Sequence, residues 1–104
     1  MAGTNARPDQ ELLEKTRHKV NEPPMFRVFL LNDDYTTMEF VIEVLQKVFH
    51  KSTMDATQIM LHVHRSGRGL AGVYVRDIAE TKVETVKVMA RERGFPLQCE
   101  MEKV

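Results

Sequence analysis

The chain has 104 residues, room for a single domain, and its one cysteine, Cys99, excludes an internal disulfide and suits a reducing compartment. Lys plus Arg (15) balance Asp plus Glu (15), and zero net charge argues against a large nucleic-acid footprint, which normally carries a basic surplus. Hydrophobic content of 42% is enough for one shared core.

Residues 1–24 are polar and mixed in charge, with Leu12, Leu13 and Val20 as the large aliphatic side chains. No signal-peptide core and no membrane-spanning run is present, so the sequence reads as a cytoplasmic protein with a flexible N-terminal extension over 1–24. Pro23-Pro24 closes that extension, since proline lacks an amide hydrogen and restricts its predecessor.

Met25 to Leu31 predicts a strand, with Phe26, Val28 and Leu30 on one face. Thr36-Thr37-Met38-Glu39 fits a capping box in which Thr36 accepts from the Glu39 amide. The helix it opens carries Val41, Val44, Leu45 and Val48 as its apolar face. Ser52-Thr53-Met54-Asp55 is a second cap, before a helix with Ala56, Ile59, Met60 and Val63 at helical spacing. Ser66-Gly67-Arg68-Gly69 stops it.

A short strand follows over Leu70 to Val75. Asp77-Ile78-Ala79-Glu80 reads as a third capping box, for a helix striped by Ala79, Val83, Val86 and Ala90, and Gly94 and Pro96 end that helix. Leu97, Cys99 and Met101 then alternate with Gln98, Glu100 and Glu102 in a last strand. The order β-α-α-β-α-β predicts a small α+β domain over 25–104. Its three-stranded sheet, antiparallel or mixed, packs against helices on one face.

Several motifs carry less than their letters suggest. Gly67-Arg68-Gly69-Leu70-Ala71-Gly72 matches G-x-G-x-x-G, but it leaves a helix and enters a strand, the reverse of a dinucleotide fingerprint. His62 and His64 stand about 200° apart on a helix, so they cannot face one metal ion together. Asp33-Asp34 has no activated nucleophile nearby, and Cys99 on an inward strand position reads as a packed thiol. Neither a metal, a cofactor nor a catalytic residue is therefore expected.

Leu31-Asn32-Asp33-Asp34-Tyr35-Thr36-Thr37-Met38-Glu39-Phe40-Val41 closely resembles the signature of the ClpS family, adaptors of the Clp protease. The likeness continues through Ala56 to His64, Gly72 to Val75, Ala79 to Val83 and Pro96 to Glu102, nearly the whole predicted domain. It implies a non-enzymatic, monomeric adaptor. Such a protein binds N-degron substrates through a free N-terminal Leu, Phe, Tyr or Trp, and delivers them to the N-terminal domain of an AAA+ Clp unfoldase. Nucleic acid and membranes are not implied as partners.

The resemblance places amine contacts on Asn32, Asp34 and His64, with Asp33 nearby. It places the side-chain pocket on Thr36, Met38, Val41, Met60, Val63 and Leu97, and unfoldase docking on Tyr35, Asp77, Glu80 and Lys82. The chemistry agrees, because an α-ammonium has three N–H donors. Asn32 offers an amide oxygen, Asp34 a carboxylate, and neutral His64 a ring-nitrogen lone pair. One departure is Thr37, where the family often has proline, a residue that pre-organises a first helical turn.

Overall fold

Seven aromatic and aliphatic-rich residues, Met25–Leu31, form the central strand β1 of the computed structural model, which describes residues 22–104. Antiparallel partners flank it on both sides, β2 (Arg68–Val75) and β3 (Gln98–Lys103), in the order β2-β1-β3. The helices are α1 (Met38–Lys47), α2 (Thr53–Ser66) and α3 (Arg76–Arg93). The predicted order β-α-α-β-α-β holds, and the sheet is wholly antiparallel rather than mixed. The extension predicted over 1–24 lies outside the described residues as far as position 21.

Alternation in β1 sends Phe26, Val28 and Leu30 to the helix-covered face, where all three are buried. Helix α3 packs across all three strands, while α2 packs on β2 and α1. Phe40, Val44 and Leu45 of α1, Ala56 of α2, and Ala79, Val86 and Ala90 of α3 complete one core. Each large aliphatic side chain buried there contributes roughly 1.5–3 kcal/mol.

Among the described residues no helix covers the opposite sheet face, yet Phe29 is also buried. The Arg68 guanidinium lies 3.9 Å from its ring centroid and reaches Glu100 at 3.3 Å and Glu102 at 3.5 Å on β3. Exposed ion pairs contribute little, at most about 1 kcal/mol each. The guanidinium over the Phe29 ring adds a contact of similar size.

Two glycines set how β2 meets α2. Gly67 takes the left-handed conformation (φ 91°) that ends α2 and lets the chain reverse directly into β2, so the strand starts at Arg68 rather than at Leu70. A Cβ at Gly69 would stand 2.7 Å from Val63 Cγ2, so only glycine allows strand and helix to approach this closely. Further along, the register jumps between Val28 and Phe29 and leaves Ala71 as an extra, fully buried residue in β2.

Two of the three predicted caps are corrected. The α1 cap is Thr37, whose hydroxyl accepts from the Phe40 amide at 3.2 Å; Thr36 is withdrawn because Asp33 has already captured it. Thr37 therefore sits one position before the first turn and contributes a hydrogen bond that proline could not. Asp77 does not cap α3, because β2 runs straight into that helix and the cap position falls on Val75, with no side-chain hydrogen bond. Asp77 lies instead in the first turn, where a carboxylate still suits the helix dipole. The Ser52 cap holds, accepting from the Asp55 amide at 3.1 Å.

These assignments separate two substitutions. Thr37→Ala is expected to lower unfolding free energy by about 1 kcal/mol, the usual worth of a threonine cap. Glu39→Ala costs only the few tenths of a kcal/mol of a first-turn charge. Urea denaturation of both variants checks this; equal losses would restore the reciprocal Thr36–Glu39 box.

Candidate functional site

The site begins where β1 ends. The Asn32 amide donates to the Gly67 carbonyl at 2.8 Å, joining the end of the central strand to the C-terminal cap of α2. His64 lies in the last turn of α2, so this one backbone bond brings Asn32 and His64 to the same rim.

Asp33 shapes the next four residues. Its Oδ1 accepts from the Tyr35 amide at 2.8 Å and the Thr36 amide at 2.7 Å, and its Oδ2 accepts from the Thr36 hydroxyl at 2.7 Å. Such an aspartate replaces backbone pairing in a turn. Burial pushes this carboxyl up, but the bonds from Thr36 and Tyr35 together outweigh it and leave its pKa below the ordinary 3.8. With both oxygens engaged, Asp33 is a turn-former. It also lines the polar side of the neighbouring cavity.

The turn and the two helices enclose a cavity of about 210 Å³. Asn32, Asp33, Asp34, Thr36 and His64 form its polar side, and Met38, Val41, Met60 and Val63 its apolar side. Val41, Met60 and Val63 are themselves core residues at 7%, 6% and 2% exposure, so the floor is as fixed as the core. Met38 is 44% exposed and forms the lip. Within the described residues no side-chain hydrogen bond engages Asn32, Asp34 or His64, whereas the side chains of Asp33, Thr36 and Thr37 are engaged. The cavity thus joins three free acceptor-bearing side chains to an apolar floor.

Other predicted positions lie elsewhere. Leu97 is buried but does not line this cavity; it belongs to a separate recess with Val83, Lys87 and Cys99 between α3 and β3. It lies just before β3 and belongs to the shared core. The docking set is divided. Tyr35 follows the Leu31 end of β1, whereas Asp77, Glu80 and Lys82 belong to the start of α3, beside the Met25 end. A strand of this length separates them by roughly 20 Å.

Asp77 and Glu80 are exposed. Lys82 is turned inward, donating to the Val48 carbonyl at 2.6 Å, with its ammonium 5.1 Å from the Tyr74 ring centroid. It ties α3 to the end of α1.

His62 points away from the cavity, its Nδ1 3.4 Å from Ser66 Oγ. The Cys99 thiol is pushed up to about 12, by burial first and the Glu100 charge second, which leaves it protonated and unreactive at neutral pH. Among the described residues no group of three or more His, Cys, Asp or Glu is placed to hold a metal ion, and no helix is long and apolar enough to cross a membrane. Sequence reasoning missed Pro96 and Gln98, which line a second recess beside the turn. They come from the far end of the chain, and no local spacing announces their arrival.

The Asp33 bonds carry a pH signature. Because its folded-state pKa is lowered, its contribution is fully present above the unfolded value of about 3.9 and is lost as pH falls through the lower folded value. Asp33→Asn is therefore expected to be less stable than the parent at pH 6, with the gap closing on acidification below about pH 4. Urea titrations across that range measure it, and a gap that is constant with pH would remove the ionised carboxylate from the turn.

Comparison with known proteins gives this geometry a family. The model described as "ATP-dependent Clp protease adaptor protein ClpS" matches residues 21–100. The ATP-dependent Clp protease adapter protein ClpS of Paraburkholderia phymatum is 57% identical over 95 residues, 91% of each chain. That of Desulfatibacillum aliphaticivorans is 58% identical over 92 residues, 88% of each. A solved structure of Agrobacterium tumefaciens ClpS2 bound to L-phenylalaninamide aligns with a TM-score of 0.77 and 42% identity, covering 80% of this chain and all of that one. From the match over its described domain and these identities, the chain belongs to the ClpS family, whose members are adaptors of the Clp protease and not enzymes.

Proposed function

We propose that this chain is a cytoplasmic adaptor that binds substrate proteins through a free N-terminal Leu, Phe, Tyr or Trp and delivers them to an AAA+ Clp unfoldase. The observation that carries the proposal is the pairing of free Asn32, Asp34 and His64 side chains with an apolar cavity directly beneath them. A free α-ammonium presents three donors and a positive charge to an amide oxygen, a carboxylate and a neutral imidazole nitrogen. Its first side chain then enters between Met38, Val41, Met60 and Val63.

Size supports the same reading. A cavity of about 150 Å³ holds a benzene ring, so about 210 Å³ accommodates an aromatic or leucyl side chain. Burying it is worth roughly 1.5–3 kcal/mol. Met38 at the lip crowds the first carbons of that side chain, which disfavours branching at Cβ. The Agrobacterium relative's ligand, L-phenylalaninamide, has a free amine, an aromatic side chain and an amide where a peptide would continue. Those are the features this site is built to test.

Delivery requires a second surface. The exposed Asp77 and Glu80 at the start of α3 stand away from the cavity and leave it open while the unfoldase is engaged. Lys82 serves there by fixing α3 rather than by offering its charge.

Titration of fluorescent peptides beginning with Leu or Phe tests the proposal. Free peptides should bind and N-acetylated ones should not, because acetylation removes the charge and two donors; equal binding defeats the amine mechanism. Asp34→Ala and His64→Ala should each weaken binding by roughly tenfold to a hundredfold, the worth of a hydrogen bond to a charged group. Their melting temperatures should stay unchanged, since neither side chain has a hydrogen-bond partner among the described residues. Retained affinity in either variant would take that residue out of the site.

A further inference from the structure

Methionine stands at both the floor and the lip of the cavity, and the two sulfurs differ in their access to water. Met60 is 6% exposed and belongs to the core, whereas Met38 is 44% exposed and lies outside it. We propose that Met38 is a reversible oxidation site for hydroperoxides, and that its sulfoxide closes the cavity to large apolar side chains. The inference rests on the N-terminal reading of the cavity and adds a chemical control over it.

In the oxidation the thioether sulfur attacks the outer oxygen of the hydroperoxide, and an S–O bond forms as the O–O bond breaks. Sulfur gives up two electrons and the peroxide takes them. The proton passes to the departing oxygen, which leaves as water or, from an organic hydroperoxide, as an alcohol. The product is a methionine sulfoxide, polar and chiral, and reductases specific for its two epimers return it to the thioether.

Exposure decides where this happens. Among the described residues the exposed methionines are Met38 and Met54, while Met25, Met89 and Met101 are partly buried. Met54, in the first turn of α2, does not line the cavity, so Met38 is the exposed sulfur that a ligand would meet. Cys99 does not compete, because its buried thiol stays protonated.

The consequence follows from what surrounds the new oxygen. The side chains of Val41, Met60 and Val63 beside it offer no hydrogen-bond donor. A sulfoxide at the lip is therefore satisfied by water. A leucyl or aromatic side chain entering past Met38 strips that water without replacing its hydrogen bonds. Met38 follows the Thr37 cap and is not a core residue, so its oxidation leaves the fold standing. Asn32, Asp34 and His64 are untouched, and the demand for a free amine remains.

The test treats the full chain and its Met38→Leu and Met54→Leu variants with dilute hydrogen peroxide. Peptide mass spectrometry maps the oxidised residues. Peptides beginning with Leu or Phe, free and N-acetylated, are titrated before and after treatment. In the parent, Met38 and Met54 should oxidise ahead of Met60, and affinity for the free peptides should fall about fivefold or more. Methionine sulfoxide reductases should restore it. Met54→Leu should lose affinity as the parent does. Met38→Leu keeps an apolar lip of similar volume, so it should bind before treatment and hold its affinity afterwards.

Unchanged affinity in a parent whose Met38 is fully oxidised overturns the proposal. So does oxidation of Met60 as fast as Met38, a loss that the reductases fail to reverse, or an equal loss in Met38→Leu. Equal binding of free and acetylated peptides before any peroxide is added defeats the N-terminal reading and takes this inference with it. That failure is distinguishable, because it appears without the oxidant.

Discussion

Much of the candidate site depends on one carboxylate. Asp33 accepts three hydrogen bonds within three residues of itself, at 2.7–2.8 Å. Without them the chain leaving β1 would have several soft dihedrals and no reason to adopt one path into α1. With them, Thr36 is held under the ridge, Thr37 is released to cap α1, and Asp34 stays outside the turn's own bonding. The Asn32 amide closes the other side by bonding Gly67, which fixes the last turn of α2 against the same ridge. Local bonds of modest individual worth thus decide where groups from three separate segments stand.

The apolar floor obeys a different constraint. Val41, Met60 and Val63 belong to the same buried cluster as Leu30 and Leu45, so the walls of the cavity are also the seam between α1 and α2. A pocket made from a helix seam is rigid at no extra cost in ordering, which favours a pre-formed site over one that closes on its ligand. It also couples selectivity to stability, since enlarging the cavity at Met60 or Val63 removes core. Met38 is the exception. At 44% exposure it touches the cavity without holding up the fold, so it is the position at which side-chain preference can vary most cheaply.

The elements were legible because each has an unambiguous period: alternation in Phe26, Val28 and Leu30, helical spacing in Val41, Val44 and Leu45, and again in Ala79, Val86 and Ala90. The caps were less so. Thr36 and Thr37 are chemically equivalent neighbours, and only the side chain of Asp33, three residues before Thr36, decides between them. Asp77 resembles a cap in sequence, but a helix that starts without a linker takes its cap position from the preceding strand. Nine candidate residues from Asn32 to His64 meet in one cavity because they flank a single helix–helix seam. Leu97 does not, and Tyr35 parts from Asp77 and Lys82, because their placement is set by the sheet register. Neither that register nor the inward turn of Lys82 is written in any local spacing.

Two modest tests in series explain how such a small protein can be selective and still let go. On the proposed reading, a chain with a blocked terminus forfeits charged hydrogen bonds worth roughly 1.5–3 kcal/mol each, and one with a small first residue forfeits a burial term of similar size. A chain lacking both is rejected by the sum, while a chain satisfying both gains no more than a few such terms, reduced by the cost of association. That balance suits an adaptor, whose partner must be able to take the substrate away. A deeper pocket or a fourth charged contact would sharpen recognition, but it would slow release, and most gains in affinity come from slower dissociation. On that same reading, the open lip at Met38 and the exposed positions of Asp34 and His64 keep the site on the releasing side of that compromise.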